Sequence, residues 1–365
     1  MSSAVIPESY LATGAPPARG SPSSRIVTQL KRYPELDIAR GVLLALMISG
    51  HAVGLANVPA NGFLRSSFWL PRGWSTVGFQ VLAGFTIGLL FAADRHRERD
   101  VWNRAGRMLA VMLGSNIILL ACKYAVLGEL WRFRDPSWWI GAATLYTDAS
   151  ISIVLAPTIL LLAAAPWLLA LERRMSSAWF AVLAVSTSVG AWALHGASSA
   201  SAFPGLSAGW VILPLAGNGL VGLVLGSWWF RNREARSSFR PHVACVAFLC
   251  LVGLVATLSR DPLVQMTVGA VLRFGAVLTL AMLFGTRSGR PLVHCIAQLG
   301  RYSLAVFILH RPVIQAIKFA IAHVGLSASA RYAFMYSATV GCMIVLCAIR
   351  DRDERVDRML RSVHL

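Results

Sequence analysis

Residues 35–57 read ELDIARGVLLALMISGHAVGLAN. The stretch is long enough for a helix to cross the hydrocarbon layer, and most of its interior is Leu, Val, Ile, Ala, Met and Gly. It nevertheless carries Asp37, Arg40 and His51. Eleven helical steps of about 100° bring His51 back to within roughly 20° of Arg40, so the two share a face, about 16 Å apart along the axis. Asp37 lies within about 40° of the same stripe. One face of one spanning helix thus holds an acid–base pair towards one surface and an imidazole towards the other. Ionisable groups at such depth are expensive and point to function. A plainer reading stands beside this one. Asp37 and Arg40 can anchor a helix start at the head groups, and His51 can be a hydrogen-bonding residue between helices.

Outward from this helix, the composition settles the broad class. The 365 residues are 56% hydrophobic and 14% charged, with mean hydropathy +0.62, against about 25% charged in soluble domains. The expectation is an all-α, polytopic membrane protein. Ten apolar runs of spanning length occur, at about 36–57, 74–93, 108–128, 149–170, 178–197, 209–230, 241–258, 264–286, 302–323 and 332–349. The net charge of +18 invites a nucleic-acid reading, but the basic residues cluster in short segments between apolar runs. With the N-terminus inside, 24 Lys and Arg fall on the inner side and 6 on the outer. That is the positive-inside pattern, with both termini cytoplasmic, a lipid bilayer as the partner and no nucleic acid. Residues 1–32, rich in Ser, Ala, Pro and Gly, read as a disordered cytoplasmic tail. Residues 33–350 read as the membrane domain and 351–365 as a charged cytoplasmic tail. The six cysteines lie in or beside apolar runs without a CxxC pair, so neither a disulfide framework nor a metal site is expected.

Few other residues at membrane depth can do chemistry. Arg273 lies near the middle of the eighth run, and His310, Arg311 and Pro312 adjoin in the ninth. Two buried arginines need acceptors, so they imply an internal cavity or a bound anion, or else pairing for structural reasons. A histidine can act as general base on a hydroxyl. Arginines can hold phosphates or an oxyanion. The segment 94–107, DRHRERDVWNRAGR, reads as a basic cytoplasmic loop, suited to an anionic cofactor or to charge anchoring alone. The aromatic-rich outer segment 129–148 fits an interfacial belt or a platform for a sugar ring.

Several stretches together resemble the integral-membrane acyltransferase family 3, and within it the osmoregulated periplasmic glucan succinyltransferase (OpgC-like) branch. LDIARG (36–41), with its ten-residue gap to His51, resembles the family's Arg-x10-His signature. FQVLAGFTIGLLF (79–91), YTDASISIVLAP (146–157) and LGRYSLAVFILH (299–310) resemble family segments in the same order. Residues 153–157 read IVLAP where the family has a tighter Leu-Pro-Leu-Tyr, and ILPLAGN (212–218) matches only loosely. The resemblance implies an acyltransferase of the bacterial inner membrane. A cytoplasmic acyl-CoA, acetyl- or succinyl-CoA, would donate to an extracytoplasmic glycan or envelope acceptor. His51 would be the base, Asp148 its support, and Arg40 with Arg104 and Arg107 would face the donor. Asp37, Arg273, His310 and Arg311 are cavity candidates from the cost of burial alone. A transporter or flippase of an anionic envelope precursor is the alternative, since buried arginines and a proline-interrupted helix also suit an anion path.

Overall fold

A computed structural model describes residues 33–59, 74–91, 98–127, 134–136, 139, 150–199, 207–232, 239–259, 261–285 and 290–357. Twelve helices carry these residues, and among them there is no strand. In chain order they are α1 (Pro34–Leu55), α2 (Trp74–Phe91), α3 (Glu98–Leu127), α4 (Ser150–Arg174), α5 (Ser177–Ser199) and α6 (Ser207–Arg231). They continue as α7 (Pro241–Leu258), α8 (Pro262–Met266), α9 (Val268–Gly285), α10 (Pro291–Arg301), α11 (Ser303–Ala320) and α12 (Ala328–Arg352). Among the described residues, eight spans have the length and apolar composition to cross a membrane, and two shorter apolar helices, Ser75–Leu90 and Pro241–Val255, accompany them. Nine of the ten apolar runs in the sequence fall each on one of these helices, and the run at 264–286 covers α8 and α9. The chain is an all-α polytopic membrane protein.

Helix α1 is the hub. One side packs Leu36, Ile38 and Leu43 against Val81 and Phe85 of α2 and Phe274 and Val277 of α9. The other packs Leu44, Met47 and Ile48 against Val306 and Phe307 of α11 and Met343 and Cys347 of α12. Its last turn sets Ala52 and Val53 against Ile314 of α11 and Met335 of α12. Lipid is as apolar as these side chains, so the gain is close packing rather than escape from water. Pro34 opens the helix, where a missing N–H costs nothing. Asn57, at φ 55°, closes it, and the following Val58 N–H bonds back to the Val53 carbonyl.

Glycine fixes two helix crossings. A Cβ on Gly41 would collide with the Ile296 carbonyl, and one on Gly300 with the Asp37 carbonyl, so the α1 and α10 backbones are in direct contact. The Gly84 and Gly88 pair does the same for α2 against the α6 backbone at Gly219 and Leu223. Helix α10 itself is short and distinct from α11. Tyr302, the turn between them, breaks the α-helical run within 299–310. The segment expected as a basic loop at 94–107 is helical from Glu98 onward, as the start of α3.

Prolines inside helices are accommodated by neighbours. Pro157 of α4 cannot donate to the carbonyl four residues back. Beside it, the Val154 carbonyl accepts from Gln80 Nε2 (2.6 Å) and from the Thr158 hydroxyl (3.1 Å). Gln80 is fully buried, and this contact ties α2 to α4. Helix α11 runs unbroken through Pro312.

Candidate active site

Three of the candidate residues meet between α1 and α11. The His51 and His310 rings stack with centroids 5.3 Å apart and planes 24° from parallel. Arg311, next in the chain and half-buried, lies within electrostatic range of both imidazoles. His51 is half-buried, whereas His310 is only 2% exposed. Behind His310 stands Phe307, centroid to centroid 6.0 Å, and Phe79 of α2 meets Phe307 edge-on at 6.4 Å. The histidine pair is thus walled by aromatic rings on the α2 side.

His310 Nδ1 lies 3.1 Å from the Val306 carbonyl oxygen, one turn back on the same helix. A carbonyl can only accept, so Nδ1 carries the hydrogen. In the neutral ring Nε2 is then an acceptor. Among the described residues nothing hydrogen-bonds to it, although it is buried. The near-parallel stacking explains why His51 does not fill this place, because ring nitrogens bond in the ring plane and not across the stack.

The other end of α1 holds a second cluster. Arg40 donates to Asp37 Oδ1 (3.3 Å) and, across to α2, to Thr86 Oγ1 (3.0 Å). Thr86 passes its own hydrogen to the Leu82 carbonyl at 2.8 Å, which leaves its lone pairs for Arg40. Asp37 is buried and the Arg40 side chain is 24% exposed. Arg40 is therefore held inward against α2 rather than spread along the head groups. Thr86 gave no signal in the sequence, where it is one small residue in an apolar run.

The remaining candidates lie elsewhere. Arg104 and Arg107 are exposed on the first turns of α3, with Arg107 Nε reaching the Asn103 carbonyl at 3.4 Å. Arg273 is buried in α9 and donates to Gln265 Oε1 of α8 at 2.8 Å, which makes it a brace between these helices. Asp148 and nearly all of the aromatic segment 129–148 lie outside the described residues. No group of three His, Cys, Asp or Glu converges among the described residues.

A polar cluster that the sequence reading did not anticipate closes the α10, α11 and α12 junction. Asp351 accepts from Gln298 Nε2 (2.9 Å), Arg301 (3.3 Å) and the Tyr302 hydroxyl. Arg350 lies 4.4 Å over the Tyr302 ring and pairs with Asp357 at 3.0 Å. Burial, reinforced by the hydrogen bond to Asp351, pushes the Tyr302 hydroxyl up to about 12. Asp351 lies in the last turn of α12, and Asp357, just beyond that helix, pairs back to Arg350.

Comparison with known families identifies the chain. The family 3 acyltransferase domain matches residues 33–348. The chain belongs to this acyltransferase family. The match begins just before α1 and ends in α12, so both clusters on α1 lie within the acyltransferase domain. No curated protein and no solved structure gives a match. The family makes the chain a membrane acyltransferase in general terms.

Proposed function

We propose that this acyltransferase moves an acetyl- or succinyl-type group from a cytoplasmic acyl-CoA to a hydroxyl of an extracytoplasmic glycan or other cell-envelope acceptor, in the inner membrane of a bacterium. The observation that carries the reading is the division of α1 into a polar donor-like end at Asp37 and Arg40 and an imidazole end at His51. His51 accepts the hydroxyl proton as the oxygen attacks the thioester carbonyl. The tetrahedral oxyanion collapses, the carbon–sulfur bond breaks, and the coenzyme A thiolate leaves to take up the proton. Arg311, whose charge bears on both imidazoles, stabilises the oxyanion. Arg40, with Arg104 and Arg107, serves the anionic donor. Asp148 supports His51. The periplasmic glucan succinyltransferase branch is the variant that the sequence resembles most.

Mass spectrometry of envelope glycans tests the reading directly. Cells carrying the wild-type gene, a deletion, or His51→Ala at matched expression are compared. One acyl mass increment, present only with the wild-type gene, is the expected result and names the donor. Identical acylation in all three strains overturns it.

A further inference from the structure

Two tryptophans mark the seam between α3 and α4. The Trp102 and Trp167 rings meet nearly edge to face, with centroids 5.1 Å apart, yet they stay 49% and 61% exposed. Trp102 lies in the first turns of α3 and Trp167 in the last turns of α4, so the helices pass each other here in opposite directions. This is the side of the bundle that its arginines mark as cytoplasmic. Arg99 stands one turn before Trp102, about 4.5 Å nearer that surface, and Arg174 two turns after Trp167, about 10.5 Å nearer it. Spacings of three and seven keep each arginine on the face of its tryptophan. Both arginines are exposed, and among the described residues neither makes a hydrogen bond or an ion pair. On the deeper side of the ring pair the same faces turn apolar. Gly106 has no neighbour within 4 Å of the place a Cβ would take, and Leu109 and Leu160 are exposed.

We propose that this seam binds one anionic phospholipid of the cytoplasmic leaflet. Along both helices the order is cation, indole, apolar surface, which is the order of phosphate, glycerol ester and acyl chain in the lipid. Arg99 and Arg174 take the phosphate. The indole N–H groups can only donate, and ester carbonyls at the head-group level can only accept. The missing side chain of Gly106 leaves a trough for an acyl chain beside Leu109 and Leu160. The neighbouring seam between α5 and α6 provides the contrast. Trp179 and Trp228 are exposed there too, but Arg231 is already paired with the buried Glu172 carboxylate at 2.8 Å. An indole belt is common to membrane proteins. Two indoles in contact across helices, each with an uncommitted arginine on its surface side, are specific to α3 and α4. The site is separate from the acyl-transfer chemistry and does not depend on it.

Native mass spectrometry of the full-length protein in a neutral detergent provides the test. Phosphatidylglycerol and phosphatidylcholine with identical chains are titrated separately, and the dissociation constant of the first bound lipid is measured. The wild type should hold phosphatidylglycerol about thirtyfold more tightly, the effect of two arginines at an anionic head group. In Arg99→Gln/Arg174→Gln that preference should shrink to a few-fold. Arg240→Gln/Arg290→Gln removes two other exposed arginines from the same side and should leave it intact. Trp102→Phe/Trp167→Phe keeps two rings without their N–H groups and should weaken both lipids several-fold. Equal affinity of the wild type for the two lipids overturns the proposal. So does an equal loss of preference in the Arg240 and Arg290 control, since bulk positive charge then explains it. Unchanged lipid binding in the tryptophan variant places the lipid elsewhere and overturns it too. Displacement of phosphatidylglycerol by coenzyme A assigns the surface to the acyl donor, with the same consequence.

Discussion

His51 of α1 and His310 of α11 lie face to face, 5.3 Å between ring centroids, although most of the chain separates them in sequence. The contact joins the helix that carries the Arg-x10-His pattern to the helix that carries the buried His-Arg pair.

His51→Ala should abolish acyl transfer while the protein folds. Loss of a general base lowers turnover by about 10²- to 10⁴-fold. The side chain is half-buried, so the accompanying loss of stability should be modest. Release of free coenzyme A reports turnover, and thermal unfolding in detergent reports the fold. A variant that keeps wild-type turnover would remove His51 from the chemistry.

Thr86→Val keeps the shape of the side chain and removes the oxygen that accepts from Arg40 at 3.0 Å. Arg40 then keeps Asp37 but loses this hydrogen bond to α2. A hydrogen bond to a charged group is worth about 1.5–3 kcal/mol, and stability should fall by that order. KM for the acyl donor should rise in Thr86→Val and more so in Arg40→Ala. Unchanged donor KM in both would separate this cluster from the donor.

Two glycines on α1 should respond in opposite ways. Gly41→Ala drives a methyl group into the Ile296 carbonyl of α10, backbone against backbone, and should cost about 1–3 kcal/mol or prevent folding. Gly50→Ala meets no atom within 4 Å and should be neutral or add a few tenths of a kcal/mol through helix propensity. Unfolding temperatures of the two variants in the same detergent decide the matter.

Tyr302 sets an alkaline limit. Its neutral form is favoured by burial and by the hydrogen bond to Asp351, so its hydroxyl ionises near 12 in the folded protein, above the usual value of about 10. The stability it contributes is complete below pH 10 and is lost as pH rises through about 12. Tyr302→Phe should be less stable at neutral pH and show a shallower decline across that window. Unfolding temperature against pH for the two proteins gives the comparison.

The sequence displays α1 openly, because spacing along one helix is a local property. Asp37 and Arg40, three residues apart, are legible as a pair for the same reason. Thr86 is not, since nothing in FTIGLLF separates a ligand of Arg40 from a hydroxyl bonded to its own helix. The burial cost of His310 and Arg311 marks them as unusual, but their meeting with His51 is tertiary and leaves no trace in composition or period. Helix α10 escapes for another reason. Its eleven residues are too few and too mixed in polarity to read as a span, and only its backbone contacts at Ile296 and Gly300 show that it braces α1. The basic segment at 94–107 reads as a loop from its charge density, yet from Glu98 it continues without a break into the apolar part of α3.

The backbone contact between α1 and α10 also anchors a length. With Gly41 seated on Ile296 and Gly300 on Asp37, α1 cannot slide along its axis without a collision. The interval of about 16 Å between Arg40 and His51 follows from the rise of α1 itself, and the contact with α10 holds that ruler in place against the rest of the bundle. A donor gripped at the Arg40 end must bring its own reach, a flexible arm of comparable length, to deliver an acyl carbon to the imidazole. A compact acyl donor, short of that span, could occupy one end of α1 or the other but could not bridge them.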